Sequence, residues 1–160
     1  MIRKATVEDA EAICTIYNHY IENTTISFEE HPVSVKGMQD RIIKITNSLP
    51  WLISENKERI TGYAYADTWM IRSAYRYTVV SAIYLDPKFL RQGIGSRLYQ
   101  RLLSDLRQHS LHSVIGIIAL PNPASIALHE KLGFEKVAHF KQVGRKFGKW
   151  IDVGYWERIL

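Results

Sequence analysis

The 160-residue chain is predicted to fold as one mixed α/β domain over residues 1–160. Three observations support this fold class. The length suits one domain rather than two. Segments with the two-residue period of strands alternate with segments that have the helical period, in the order βααβββαβαββ. No repeat, low-complexity tract or linker divides the chain.

The first part of the chain is predicted to hold a short strand and two helices. The strand is IRKAT, and Thr6 with Asp9 forms a capping-box pattern that starts the first helix. Residues 22–34 form a polar loop with an embedded aromatic residue. Ser34, at the end of that loop, is a suitable N-cap for a second helix that reaches about residue 46.

Three strands are predicted in the middle of the chain. WLISE and RITGYAYADTW are joined by a tight turn at residues 56–58. The third strand, YTVVSAIYL, is followed by a proline turn and by a glycine-containing joint, RQGIGS. This joint opens a helix that carries leucine and tyrosine on one face.

The last third of the chain is predicted to hold three more strands and one helix. HSVIGIIAL is apolar on both faces, which is typical of a strand at the centre of a sheet. NPASIALHEKL forms a helix, and Gly133 follows it at the position where glycine is favoured. FEKVAHFKQV and WIDVGYWERIL then form the last two strands.

Composition excludes several classes of function. The net charge is +5 and residues 141–149 are locally basic, but no zinc-finger, RNP or basic-helix pattern accompanies them, so we expect no nucleic-acid partner. Apolar runs are far shorter than the ~20 residues of a membrane span, and the N-terminus lacks the apolar segment of a signal peptide. The single cysteine, Cys14, suits a reducing compartment, so we expect a cytoplasmic protein. The six histidines show no ligand spacing, so we expect no metal.

The joint between the third strand and its helix has the features of an anion site. Glycine permits close approach of a ligand to the backbone, and the first turn of a helix presents unpaired N–H groups. Residues 93–96 (GIGS), with Arg91 beside them, therefore form a candidate anion cradle. A tight turn without a ligand explains the two glycines equally well. The joint is neither a P-loop nor a complete dinucleotide-binding fingerprint.

A second motif, later in the chain, helps to interpret the joint. LPNPASIALHEKLGF follows a strand, and together with RQGIGS it resembles the GCN5-related N-acetyltransferase (GNAT) superfamily. The segments TIYNHYIENTTISF, GYAYADTW and VGRKFGKWIDVGYW resemble its phosphinothricin and methionine sulfoximine/sulfone N-acetyltransferase branch. The resemblance implies a mixed, mostly antiparallel sheet of six or seven strands, with a splayed central strand pair and flanking helices. It also implies acetyl-CoA as co-substrate and a homodimer.

The resemblance assigns the cofactor residues. The pantetheine arm of acetyl-CoA is expected along one strand and its diphosphate in the joint, with two further contacts on the last helix. The matching residues are Ile83, Tyr84, Leu85, Arg91, Gln92, Gly93, Ile94, Gly95, Ser96, Asn122 and Ser125. Leu90 stands where the family has a leading Arg or Gln, which removes one side-chain contact.

The resemblance also assigns a catalytic residue and an acceptor site. His129 replaces the usual tyrosine near the sulfur, where it could protonate or hydrogen-bond the departing thiolate. Arg72 could pair a carboxylate or phosphinate bidentately. The complete acceptor set is Phe28, Glu29, Met70, Ile71, Arg72, Tyr75, Val80, Ser81 and Ala82. A packing role for His129 and Phe28, and a solvated role for Glu29, are the alternatives.

One departure bears on activity. Relatives carry a glutamate, a candidate general base, where this chain has Val80. Valine cannot accept a proton, so the base must lie elsewhere or be water. The leading hypothesis is acetyl-CoA-dependent acetylation of the α-amine of a small amino-acid analogue. The alternatives are acetylation of another amine, such as a protein N-terminus, and an acetyl-CoA-binding module with little or no turnover.

Overall fold

A computed structural model describes all residues, 1–160, and confirms the predicted order of elements. Seven strands form one sheet with the order β1-β2-β3-β4-β5-β7-β6, in which only β4 and β5 are parallel. The strands are β1 (Ile2–Lys4), β2 (Trp51–Asn56), β3 (Arg59–Thr68), β4 (Thr78–Leu85), β5 (Ser113–Ala119), β6 (Glu135–Lys146) and β7 (Lys149–Ile159).

Four helices cover the two faces of the sheet. They are α1 (Ala10–Asn23), α2 (Val35–Thr46), α3 (Ile94–Arg107) and α4 (Pro123–Lys131). None of them combines the length and the apolar character that crossing a bilayer would require.

Local sequence signals explain where several elements begin. The Ser34 hydroxyl accepts the Gly37 N–H at 3.0 Å and caps α2 as predicted. Lys57 and Glu58 both have positive φ, which suits the tight β2–β3 turn. The capping box of Thr6 and Asp9 is present, but it opens a single 3-10 turn that leads into α1 rather than α1 itself.

The sheet separates two apolar cores. On one face, α1 and α2 bury Ile13, Ile21, Met38 and Ile42 against Tyr63 and its neighbours. The opposite face packs against α3, and its buried residues include Leu98, Leu102, Leu106, Val114 and Trp156. Because side chains alternate along a strand, β2, β3 and β4 contribute side chains to both cores.

The two parallel strands separate part-way along their length. β4 pairs with β5 from Thr78 with Ser113 to Ser81 with Gly116, and there the pairing ends. Residues 82–85 of β4 remain paired with β3 on their other edge. We call the gap beyond Ser81 and Gly116 the split. Backbone groups of β4 that face the split have no strand partner, so an extended ligand can pair with them.

Candidate active site

A hydrogen-bonded chain of side chains lies where the split begins. The Ser81 hydroxyl is 2.5 Å from the Tyr99 hydroxyl of α3, which is 3.1 Å from His129 Nε2 of α4. His129 Nδ1 is 2.7 Å from the Ser125 carbonyl oxygen. Because a carbonyl only accepts, Nδ1 carries the proton and Nε2 accepts from Tyr99.

This arrangement changes the expected role of His129. The side chain is 4% exposed, and burial lowers its pKa while the hydrogen bond to the Ser125 carbonyl opposes that shift. The imidazole is therefore neutral, and its Nε2 has no proton to give to a thiolate. Ser81 and Tyr99 supply the hydroxyl protons of the chain, and burial raises the pKa of Tyr99, so its hydroxyl stays protonated and donates to Nε2. Sequence reasoning missed Tyr99, which appeared only as an apolar helix position.

Gly116 makes room for the imidazole. A Cβ atom at Gly116 would lie 2.5 Å from His129 Nε2, a separation that no real contact tolerates. The His129 ring also packs edge-on against Tyr99 and Phe134, at centroid distances of 5.1 and 5.0 Å. Steric fit and hydrogen bonds thus place His129 against β5 at the start of the split.

The predicted anion cradle has the backbone geometry of one. Arg91 and Gly93 have φ of +61° and +72°, and α3 begins directly after Gly93. The first intrahelical bond runs from the Arg97 N–H to the Gly93 carbonyl, at 3.2 Å, so the amides of residues 94–96 precede any partner within the helix. Successive N–H groups in this conformation form an anion-binding concavity. Arg97, whose guanidinium lies over Gly93, is a cationic neighbour that the sequence did not suggest.

The cradle lies beside the split. A Cβ at Gly95 would contact Ile83 and Leu85 of β4 and Leu128 of α4, at 3.4–3.9 Å. Leu90 is exposed at the preceding turn. The first turn of α3 therefore adjoins the part of β4 that has lost its partner.

The two remaining cofactor candidates occupy the start of α4. Asn122 is the N-cap, and its side-chain oxygen accepts the Ser125 N–H at 3.1 Å. The Ser125 hydroxyl is 3.4 Å from His129 Nδ1, a weak contact beside the shorter bond to the Ser125 carbonyl. Asn122 thus caps α4, a structural role in addition to its predicted contact with the cofactor.

Glu29 is held in a fixed ion pair on the α1–α2 face. Its carboxylate accepts two hydrogen bonds from Arg41, at 2.9 and 2.6 Å, and one from the Tyr17 hydroxyl. The hydrogen bonds from Arg41 hold the pKa of Glu29 below its usual range, although burial opposes them. The solvated alternative for Glu29 is therefore wrong.

A buried lysine fixes the loop that carries Glu29. Lys146 is 3% exposed, and its ammonium donates to the Ile21 carbonyl at 2.7 Å and to the Ser27 carbonyl at 2.6 Å. In the same region the Phe28 ring lies over Gly144, where a Cβ would overlap it. Phe28 remains 42% exposed, so it lies on the surface of the loop region rather than in the core.

A cavity of about 240 Å³ lies between α2 and the sheet on this face. Its lining includes Tyr17, Arg41, Lys44, Tyr65 and Asp67. Asp67 is directly opposite Val80 in the β3–β4 pairing, and Tyr65 is opposite Ala82. Val80 and Ala82 therefore belong to the same face as this cavity.

The structure does not bring the β3–β4 loop to that cavity. Met70, Ile71 and Arg72 line a different cavity, of about 310 Å³, together with Val79, which belongs to the α3-side core. All three loop residues are exposed. Tyr75, also in the loop, packs edge-on against Trp69 at 5.2 Å. The predicted acceptor residues thus form three separate groups, since Ser81 lies on the α3 side in the hydrogen-bonded chain with Tyr99.

Replacement of Gly116 by alanine should destabilise the protein through its contact with His129. We expect Gly116→Ala to lower the free energy of unfolding by about 1–3 kcal/mol, the usual cost of overpacking. His129→Ala removes the obstructing ring, so the two substitutions should be strongly non-additive in a double-mutant cycle measured by urea unfolding. Additive costs would show that the Gly116 backbone does not contact the ring in solution.

Comparison with known proteins agrees with this geometry. The model of the acetyltransferase (GNAT) domain matches residues 2–154. Phosphinothricin N-acetyltransferase of Streptomyces viridochromogenes is 40% identical, over 98% of this chain and 86% of that protein. L-methionine sulfoximine/L-methionine sulfone acetyltransferase of Salmonella typhimurium is 34% identical, over 99% of this chain and 94% of that protein.

A solved structure shows the same fold. The phosphinothricin acetyltransferase of Sinorhizobium meliloti, determined in complex with acetyl-CoA, superposes with a TM-score of 0.97 at 34% identity. The match covers 100% of this chain and 88% of that one. The domain model matches nearly the full length, and the seven-stranded sheet has a split between its parallel strands. This chain therefore belongs to the GNAT family of N-acetyltransferases.

Proposed function

We propose that this chain transfers an acetyl group from acetyl-CoA to the α-amine of a small amino-acid-like acceptor. The observation that carries this proposal is the position of the α3 N-terminus. Its unpaired amides adjoin Ile83 and Leu85, at the part of β4 whose edge has no partner strand. One continuous surface therefore offers anion-binding amides and a strand edge, as a long ligand with a diphosphate requires.

The residues present fit acetyl-CoA. Amides of residues 94–96, with Arg91 and Arg97 beside them, would hold the diphosphate. Ile83, Tyr84 and Leu85 would supply main-chain groups for the pantetheine arm, while their side chains pack in the two cores. Asn122 and Ser125, at the N-terminus of α4, would lie on the other side of the split.

When bound, acetyl-CoA supplies an activated acetyl group and a thiolate leaving group. We propose that the Tyr99 hydroxyl, held between Ser81 and His129, turns its single proton from His129 Nε2 toward the sulfur when acetyl-CoA binds. His129 is then a positioning residue, because its neutral Nε2 accepts the Tyr99 proton and orients the hydroxyl until the sulfur arrives. We propose that the reaction takes place in the cytoplasm, where acetyl-CoA is available and a free thiol such as that of Cys14 stays reduced.

The cradle is tested best at Ser96. Glutamate at Gly95 would be forced into contact with leucine side chains, whereas Ser96 is half-buried in the first helical turn, where a carboxylate favours the helix. A carboxylate there competes with the diphosphate for the same amides. We expect Ser96→Glu to weaken acetyl-CoA binding at least about tenfold in calorimetry, a difference of ~1.4 kcal/mol.

Gln100→Glu is the matched control, since it adds the same charge one turn further along the exposed side of α3. Equal affinity of both variants and the parent would place the diphosphate elsewhere.

The acceptor carboxylate has two candidate partners. We propose Arg72, which has an exposed guanidinium able to pair a carboxylate or phosphinate bidentately. Lys44 is the second candidate because it, and not Arg72, lines the cavity that contains Asp67. Both are cationic, so either one favours an amino acid over a polyamine as acceptor.

A panel of amines tests the reaction and this choice together. We expect acetylation of phosphinothricin, methionine sulfone and methionine sulfoximine, with much slower turnover of polyamines and of peptide N-termini. Arg72→Ala should raise the acceptor KM at least tenfold and leave the KM for acetyl-CoA unchanged, with Lys44→Ala as the comparison. An effect of Lys44→Ala alone would assign the carboxylate to the cavity. Acetyl-CoA binding without turnover of any amine would favour the binding-module alternative that Val80 suggests.

We propose that the protein is a homodimer formed through the β6–β7 hairpin. β6 is an edge strand, and the hairpin exposes several large apolar side chains: Val137, Phe140, Val143, Phe147 and Trp150. Exposed apolar side chains on an edge strand are typical of an interaction site. Light scattering should give twice the chain mass at micromolar concentration, and Val143→Glu should shift that mass toward the monomer. A monomeric parent protein would contradict this proposal.

A further inference from the structure

The proposed reaction needs a group that takes a proton from the acceptor amine. An α-amine titrates near ~8, so only a minority of it is neutral at pH 7. Val80, at the family's glutamate position, has no atom that accepts a proton. From the pairing of β3 with β4 we propose that Asp67 is this base; the inference rests on the proposed function.

Asp67 lies beside the position that lacks a carboxylate. It is the residue directly opposite Val80 in the antiparallel β3–β4 pair. Opposite residues of such a pair point to the same face, with Cβ atoms about 4.5–5.5 Å apart. A carboxylate on β3 therefore reaches part of the space that a glutamate at position 80 would occupy. Val80 directly precedes Ser81, the last residue of β4 that pairs with β5, so Val80 and its partner Asp67 lie next to the start of the split.

The Asp67 carboxylate is placed to receive a proton. The side chain is half-buried, and Oδ1 accepts the Thr68 N–H at 2.7 Å, which orients the group. Oδ2 has no hydrogen-bond partner within the protein. Asp67 is also the only carboxylate that lines the 240 Å³ cavity. One oxygen is thus fixed and the other is available to an amine or to an intervening water.

The groups facing Asp67 come from four elements. They are Tyr17 of α1, Arg41 and Lys44 of α2, and Tyr63 and Tyr65 of β3, while β4 contributes only valine, alanine and tyrosine. Burial raises the pKa of both β3 tyrosines, so their hydroxyls stay protonated and are not bases. Arg41 and Lys44 are the two cations that line this cavity.

The other candidate bases are unsuitable. The Glu29 carboxylate is occupied by two hydrogen bonds from Arg41 and one from Tyr17. His129 packs against Gly116 in contact with α3, on the opposite face of the sheet from Val80. Its Nε2 already accepts the Tyr99 hydroxyl.

The step balances with acetyl-CoA as the only co-reactant. The ammonium proton of the acceptor passes to Asp67, and the neutral nitrogen forms a bond to the thioester carbonyl carbon. The carbon–sulfur bond breaks and its electron pair leaves with sulfur, and the second proton that nitrogen loses on becoming an amide passes to the thiolate through water. Asp67 then loses the proton to solvent, so the carboxylate is regenerated for the next turnover.

The experiment compares Asp67→Asn with the parent protein. Asparagine keeps the shape and the bond to Thr68 but cannot take a proton. We expect kcat for methionine sulfone at pH 7 to fall by about 10²–10⁴-fold, with the KM for acetyl-CoA unchanged. The deficit should shrink as the pH rises through the pKa of the acceptor amine, because the neutral amine then needs no base. Asp40→Asn, at an exposed site of α2, is the matched control.

Relocation of the carboxylate is the second measurement. Val80→Glu in the Asp67→Asn background should recover at least tenfold in kcat, because it restores a carboxylate across the strand pair. If Asp67→Asn keeps the parental kcat, or loses activity equally at all pH values, Asp67 is not the base and only this inference is overturned. If the parent protein acetylates no α-amine, the proposed function fails and this inference fails with it.

Discussion

The structure depends on the point at which β4 and β5 stop pairing. Up to Ser81 and Gly116 the strands form an ordinary parallel ladder, and beyond it one edge of β4 is left without a partner. The separation is held by a side chain on each side, since the Ser81 hydroxyl bonds Tyr99 and the His129 ring fills the space that Gly116 leaves. Backbone groups that a continuous sheet would satisfy internally are therefore available to a ligand.

The sheet divides the proposed reaction between its two faces. The cradle, Tyr99 and His129 belong to the side packed against α3 and α4, whereas Asp67 and Arg41 belong to the side of α1 and α2. Both faces of the sheet are covered by packed side chains, so the split is where groups from the two faces can reach the same ligand. His129, although close in sequence to cofactor residues, therefore lies on the opposite face of the sheet from Asp67.

Elements with strong local signals were predictable, and contacts set by tertiary packing were not. The N-cap at Ser34, the turn after β2 and the central position of β5 are confirmed, because each rests on a few adjacent residues. The hydrogen bond between Tyr99 and His129 spans 30 residues and has no local signature. The pairing of Asp67 with Val80 depends on strand register across a long loop, which sequence periodicity alone does not determine.

The two hydrogen bonds of Lys146 link the C-terminal hairpin to the loop that carries Glu29, and so bear on the order in which these parts assemble. They join β6 to carbonyls 125 and 119 residues earlier, at the end of α1 and in the loop that carries Glu29. During synthesis that loop leaves the ribosome long before Lys146 does. The loop can therefore gain these two hydrogen bonds only after the C-terminal hairpin has been synthesised, and a nascent chain that stops short of β6 lacks them.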